Sequence, residues 1–313
     1  MDLISVVVPC YNEEPCLVSF HNAISAVAEK MPKVDFEFIF VDDGSKDRTL
    51  ALAKELHEKD DRVQYISFSR NFGKEAGMLA GLKAAKGDYV AVMDADLQDP
   101  PELLLEMYDT LSDKDTEFDC VGTRRVSRKG EPVIRSFFAK MFYKIINKIS
   151  DTEIVDGARD FRLMTRQMVD AIISLPEYNR FSKGLFGWVG FNTKWLEYEN
   201  IERKEGTTKW SFWTLFLYSI DGILAFSTAP LAIATIVGFV ISVLAFILAI
   251  KFLIEKIFIG IAVAGYATLI IVVLFLGGLQ LMTIGILGQY LAKCYTEIKQ
   301  RPKYIVKQTS IKK

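Results

Sequence analysis

The chain has 313 residues, half of them apolar, and carries 38 Lys and Arg against 39 Asp and Glu, a formal net charge of −1. That length suffices for one sizeable α/β domain with further apolar segments attached. Near-neutral charge, without a basic excess spread over a whole domain, speaks against nucleic acid as the partner. Cys10, Cys16, Cys120 and Cys294 are scattered and show no C-x-x-C spacing, which predicts reduced thiols and neither a disulfide framework nor a zinc site.

Ile4 to Val8 and Phe36 to Val41 are short runs of β-branched and aromatic residues, separated by apolar residues at helical spacing (Leu17, Phe20, Ile24, Val27). This predicts strand, helix, strand. Val63 to Phe68 and Tyr89 to Met93 repeat the pattern around a predicted helix from Lys74 to Ala85, and Phe118 to Gly122 adds a possible fifth strand. A mostly parallel sheet with helices on both faces follows, and ligands bind such sheets beyond the carboxyl ends of the strands. The polar motifs fall there: Pro9 to Glu13, Asp42 to Asp47, Ser69 to Lys74 and Asp94 to Asp99. The basic stretch from Arg124 to Arg135 reads as a loop.

No Asp, Glu, Lys or Arg occurs from Gly222 to Ile250 or from Ile257 to Ala292. Two spans, about 229–253 and 262–291, are expected, each meeting the roughly 20 residues that a bilayer core requires. Before them, Trp210, Trp213, Leu217, Ile220 and Leu224 share one helical face, which predicts an amphipathic helix over 209–228 with its tryptophans at headgroup depth. The tail, 293–313, carries Lys293, Lys299, Arg301, Lys303, Lys307, Lys312 and Lys313 against Glu297 alone. That bias predicts a cytosolic tail, and two crossings then place the N-terminal domain, 1–208, on the same side. Only the Lys251 to Lys256 turn would face outward, and no N-terminal signal peptide contradicts this orientation.

Asp94 and Asp96 follow an apolar strand two residues apart, a spacing that turns both carboxylates to one face. Two hard oxygen ligands suit Mg²⁺ or Mn²⁺ completed by water and substrate phosphate, hence a nucleotide diphosphate leaving group. The spacing alone proves little, since Asp113-Lys-Asp115 repeats it in a polar stretch where solvated surface charge is expected.

Pro9-Cys-Tyr-Asn-Glu13, Val41-Asp-Asp-Gly-Ser-Lys-Asp47, Arg70-Asn-Phe-Gly-Lys74 and Asp94-Ala-Asp-Leu-Gln-Asp-Pro100 together resemble the inverting family 2 glycosyltransferases of GT-A fold. More narrowly, the chain is similar to polyprenyl-phosphate glycosyltransferases, the dolichol-phosphate mannose synthases and the bactoprenol glucosyltransferases, over nearly its whole length. The resemblance implies a nucleotide-sugar site formed by Pro9, Tyr11, Glu13, Asp42, Asp43, Lys74, Asp94, Ala95, Asp96 and Gln98, with the metal at Asp94 and Asp96. Asp47 reads equally as a helix cap.

Asp160 in Asp160-Phe-Arg-Leu-Met164 matches the proposed catalytic base of that family, with Asp156 as a neighbouring competitor. A phosphate acceptor, with a second pKa near about 6, is already largely dianionic at neutral pH, so Asp160 serves either as base or to orient the acceptor. Arg203 and Lys209, in Arg203-Lys-Glu-Gly-Thr-Thr-Lys-Trp210, match a segment that contacts phosphates above the membrane. With Asp160 and Asp96 they make the expected catalytic set. Arg124 and Arg135 join Arg203 and Lys209 as expected contacts of the acceptor phosphate, while Arg180 supports the site or merely packs.

The implied reaction moves a sugar from a nucleotide, UDP-glucose foremost and UDP-N-acetylglucosamine or GDP-mannose as alternatives, onto undecaprenyl phosphate, and the family's habit implies a homo-oligomer. A processive polysaccharide synthase would carry a Q-x-x-R-W segment and further spans, absent here. A membrane-anchored nucleotide-sugar binder without turnover is the remaining rival, and two spans without buried charge serve a transporter poorly.

Overall fold

The computed structural model describes residues 1–125, 141, 143–144, 146–150, 154–198, 220, 222–258 and 265–311. Its centre is an eight-stranded mixed sheet of order β7-β5-β6-β4-β1-β2-β3-β8. The strands are β1 (Asp2–Cys10), β2 (Val34–Asp42), β3 (Val63–Phe68), β4 (Tyr89–Val92), β5 (Cys120–Arg125), β6 (Ala158–Thr165), β7 (Thr193–Tyr198) and β8 (Val306–Thr309). Between them run the helices α1 (Leu17–Glu29), α2 (Thr49–Lys59), α3 (Lys74–Ala84), α4 (Leu103–Ser112), α5 (Arg166–Ser174), α6 (Ser182–Trp188), α7 (Ala229–Phe258) and α8 (Tyr266–Ile298).

Strand alternation divides the core in two. Ile4, Val6, Val8 and Cys10 of β1 pack with Phe20, Ile24, Ala53, Leu104 and Met107 of α1, α2 and α4 on one face. Val7, Ile39 and Val41 pack with Met78, Ala80, Leu82 and Met168 of α3 and α5 on the other. Helices therefore cover both faces, as the sequence predicts. Helix α3 lies unusually close to β1, because a Cβ at Gly81 would come within 2.1 Å of the Val7 Cγ1. Only glycine permits that approach.

β1 pairs in parallel with both β2 and β4, and β2 in parallel with β3. All four strands thus end at one edge, and the loops carrying the polar motifs emerge side by side. β6 is antiparallel to β4, with Val92 opposite Arg162. Carrying that register two residues further sets Asp160, the third residue of β6, beside Asp94.

Several boundaries differ from the sequence expectations. The fifth strand runs through Arg124 and Arg125 instead of stopping before them, since β5 has a partner on each side, β6 and β7, to hold it. Residues 126–140, including Arg135, lie outside the described residues, as do 199–219, including Arg203 and Lys209 and most of the expected interfacial helix; Ile220 and 222–226 are helical. Lys251 to Lys256 belong to α7, not to a turn. Charge ends an apolar window without ending backbone hydrogen bonding, and lysine stems reach water from a helix end. Two stretches, Ala229–Leu248 and Leu269–Ile298, are long and apolar enough to cross a membrane.

The tail is also more than a basic extension. β8 adds antiparallel to the β3 edge, with Ile66 opposite Thr309. Ser69 N donates to the Ile305 carbonyl at 2.9 Å, and Tyr304 stacks on Phe68 with centroids 4.9 Å apart. The pairing covers an edge that would otherwise present open hydrogen-bonding groups. Tyr304→Ala should destabilise the protein by roughly 1–2 kcal/mol through lost ring packing. In detergent its thermal midpoint should fall by several degrees, and an unchanged midpoint would show that the tail does not stabilise the domain.

Candidate active site

The loop after β1 is stitched to the loop after β2. Asn12 N donates to Ser45 Oγ at 2.9 Å, Lys46 N to Asn12 Oδ1 at 2.8 Å, and Glu13 N to Thr49 Oγ1 at 2.9 Å. Asn12 turns the chain with φ 54°, the left-handed region that asparagine tolerates. Gly44 does so with φ 66°, where a Cβ would lie 2.5 Å from the Arg70 carbonyl carbon. Asp47 behaves as a cap: its Oδ1 accepts from Thr49 N at 3.0 Å and from Thr49 Oγ1 at 2.6 Å.

Asp42 and Asp43 are almost fully buried, 2% and 3% exposed. Asp42 accepts from Ser67 Oγ at 2.8 Å and from Ser45 N at 3.0 Å. Asp43 accepts from Phe72 N at 2.6 Å and Gly73 N at 2.8 Å, fixing the turn that opens α3. Burial raises the Asp43 pKa, and those two amide bonds only partly offset it. Both carboxylates therefore shape the loops framing the site. Pro9, Tyr11 and Glu13 are partly exposed at the same edge, and Ala95 is buried beneath it.

Because Asp43 holds Gly73, Lys74 begins α3 directly above the end of β4. Its ammonium lies 2.6 Å from Asp94 Oδ1 and 2.5 Å from Asp160 Oδ2. Desolvation works against the lysine charge, but Asp160 and Asp94 outweigh it and hold the pKa well above the ordinary lysine value. Burial likewise opposes ionisation of Asp160, yet Lys74, then Lys183 and Arg162, drive its pKa far below the usual carboxylate range. A carboxylate held so firmly in its charged form is a weak general base. Asp156 is exposed in the turn before β6 and offers no better candidate.

Asp96 Oδ1 accepts from Gln98 N at 3.2 Å, and Leu97 between them takes φ 53°. This tight turn leads to residues that the sequence reading passed over. Asp99 is 2% exposed and accepts from Arg159 Nε at 2.8 Å and from the Tyr198 hydroxyl, while Arg159 also reaches Gln98 Oε1 at 3.4 Å. Asp99, Arg159 and Tyr198 thus brace the Asp94–Asp99 loop against β6 and β7. Arg159 directly precedes Asp160, so the motif itself pointed to it; Tyr198 left no signal short of the strand order. Arg124 pairs with Glu197 on β7, and Arg180 donates to the Leu175 and Ile172 carbonyls at 3.2 Å each, ending α5.

The donor set suits a divalent cation only together with a substrate. Among the described residues no group of three or more His, Cys, Asp or Glu side chains is placed to hold a metal. Yet the edge is strongly acidic: burial first, then Glu13, Asp42, Asp94 and Asp47, pushes the Cys10 thiol well above its ordinary pKa. Asp94 and Asp96 supply two oxygens there, and Mg²⁺ or Mn²⁺ commonly binds through one or two carboxylates plus phosphate.

Residues 5–173 match the family described as Glycosyl transferase family 2. CsbB of Bacillus subtilis (strain 168), named a glycosyltransferase, is 45% identical over 309 residues, covering 99% of this chain and 92% of its own. The prophage bactoprenol glucosyl transferase homolog of Escherichia coli (strain K12) is 40% identical, covering 97% and 98%. A glucosyl-3-phosphoglycerate synthase from Mycobacterium tuberculosis, solved with Mn²⁺, UDP-glucose and phosphoglyceric acid, is a remote match: 17% identical, TM-score 0.48, covering 71% of this chain and 78% of that one. The protein is a glycosyltransferase. It belongs to glycosyl transferase family 2.

Lys74→Met should lower kcat/KM by at least about 100-fold, a loss typical of removing a preorganised charge. Without Lys74 the burial of Asp160 is opposed only by Lys183 and Arg162, so its folded-state pKa rises above that in the wild type. With divalent cations chelated, the stability deficit of the variant relative to the wild type should therefore shrink as pH falls from 8 to 5, a window in which the wild type keeps Asp160 ionised. Parallel melting curves would refute the coupling.

Proposed function

We propose that this enzyme transfers a glucosyl group from UDP-glucose to a polyprenyl phosphate at the cytosolic face of the membrane. The observation that carries this reading is the convergence of Asp94, Lys74 and Asp160 at one sheet edge, in a chain that also bears two helices able to cross a membrane. The relatives named as bactoprenol glucosyl transferases support both the lipid and the sugar. β8 returns to the sheet after α8, and this pairing supports a reading of two crossings with the domain and tail on one side.

The chemistry is a single displacement with inversion. A non-bridging oxygen of the lipid phosphate attacks the anomeric carbon, and the bond from that carbon to the nucleotide diphosphate oxygen breaks. Asp96, with Asp94, would hold Mg²⁺ or Mn²⁺, which offsets charge on the departing diphosphate. Lys74 stabilises the same phosphates once donor binding draws it from the carboxylates. Asp160 then orients acceptor and lysine; the acceptor, already a dianion, requires no strong base. Tyr11 stacks on the base, Pro9, Glu13, Asp42, Asp43 and Gln98 complete the nucleoside side, and Arg124, Arg135, Arg203 and Lys209 receive the acceptor phosphate.

Purified enzyme given polyprenyl phosphate, Mg²⁺ or Mn²⁺, and a panel of UDP-glucose, UDP-N-acetylglucosamine and GDP-mannose should yield glucosyl lipid, identified by mass. Chelation should stop turnover and re-addition restore it. Asp96→Ala should lose at least about 1,000-fold in kcat, as expected when the group stabilising the leaving charge goes. An active Asp96→Ala enzyme with unchanged metal dependence would overturn the mechanism, and a polymeric product would overturn the reaction class.

A further inference from the structure

Glu75, next to Lys74 on α3, lies within electrostatic reach of Asp160 and Lys74 and holds a further segment. Ser182 N donates to its two oxygens at 3.0 and 3.1 Å, and the Ser182 hydroxyl donates to Oε2. Four residues back along the same segment a second carboxylate is at work. Tyr178 N donates to both oxygens of Glu297 at 3.0 and 2.9 Å, and Asn179 donates to Glu297 Oε1 at 2.9 Å from both its backbone N and its Nδ2. Asn179 Nδ2 also reaches Thr296 Oγ1 at 2.9 Å.

Glu297 sits in the last turn of α8. A carboxylate there opposes the helix dipole, so its place at the foot of an apolar helix is unfavourable unless partners meet its charge. The amides of Tyr178 and Asn179 are those partners, and with the Asn179 side chain they keep its pKa below the ordinary value against the cost of burial. Between the two anchor points Phe181 is buried against Phe226, ring centroids 6.0 Å apart.

We propose that residues 178–182 form a strut between the membrane helix and the reacting cluster, with Glu75 and Glu297 as positioning residues for the acceptor. This rests on the lipid-phosphate reading above. The bilayer sets the height of a lipid phosphate and the sheet sets that of the anomeric carbon. Near-attack geometry needs these atoms within roughly 3–3.5 Å, and a misplacement of about 1 Å can cost on the order of 100-fold. A segment gripped by a carboxylate at each end links the two frames. Lys74 follows Glu75, since both leave the same turn of α3.

The test uses full-length enzyme with two acceptors, a long-chain polyprenyl phosphate in lipid nanodiscs and a short, water-soluble isoprenyl phosphate in detergent. Glu297→Ala should lower kcat on the long-chain acceptor by about 10- to 100-fold, keep the donor KM within twofold of wild type, and leave turnover of the short acceptor within twofold. Glu297→Gln, which keeps an accepting oxygen, should recover part of the loss. Glu75→Ala should show the same split between acceptors, and the double alanine variant should be no slower than the slower single one, because both substitutions cut one strut. Equal losses on both acceptors, a donor KM that rises as kcat falls, or losses that multiply in the double variant would each overturn the strut. A wild type that glycosylates neither acceptor would instead fail the lipid-phosphate reading, and the strut with it.

Discussion

Asp94 and Asp160 come from strands that run in opposite directions, and their carboxylates converge on a single ammonium, that of Lys74. Two like charges at such separation repel strongly in a partly desolvated edge, so their coexistence depends on a cation between them. The rest of the architecture can be followed outward from that requirement. Lys74 arrives because Asp43 pins the amides of Phe72 and Gly73, and because Gly81 lets α3 settle onto Val7. Asp160 arrives because β6 pairs antiparallel with β4 in the register that opposes Val92 to Arg162. Buried polar groups far from any substrate thus determine where the reactive ones stand.

The same charge balance explains why the edge suits a nucleotide sugar. In the free protein Lys74 neutralises part of an acidic rim that also includes Glu13, Asp42 and Asp47. A donor arriving with a divalent cation would bring both signs: Asp94 and Asp96 would hold the cation, and the Lys74 ammonium, no longer needed there, would pair with phosphate oxygens. Neither change leaves a buried charge unpaired, which is the costly outcome in a desolvated site. The loop that makes the exchange possible is held rigid from behind, where Asp99 is clasped by Arg159 and Tyr198.

The first five strands, helices on both faces and the placement of the motifs at the strand ends were legible in the sequence, because periodicity of two and of 3.6 residues marks burial directly. What stayed hidden depends on long-range pairing. Asp42 and Asp43 read as ligands, but that their oxygens also hold Ser45, Ser67, Phe72 and Gly73 in place was unknowable without the loop paths. Lys74 read as part of the nucleotide-sugar site, and its bridging of two carboxylates appears only once β6 is paired. Val306–Thr309 read as tail, since four residues carrying Lys307 and Gln308 have little apolar pattern; the open edge of β3 makes them a strand.

The length of α8 joins these points to the membrane. Its 33 residues extend about 50 Å at roughly 1.5 Å per residue, whereas the hydrocarbon core is about 30 Å thick. On the proposed membrane reading about 20 Å would stand on the aqueous side, and the foot of α8 that carries Lys293, Thr296 and Glu297 is where it meets Asn179. Beyond it the chain runs straight into Tyr304 on Phe68 and into β8. The catalytic sheet is thus attached to the membrane helix at two places, one through the strand edge and one through the segment reaching Glu75. Two attachments fix orientation where one would leave a pivot, and the proposed lipid acceptor, confined to the bilayer, would require the sheet edge to be held at a fixed height and tilt.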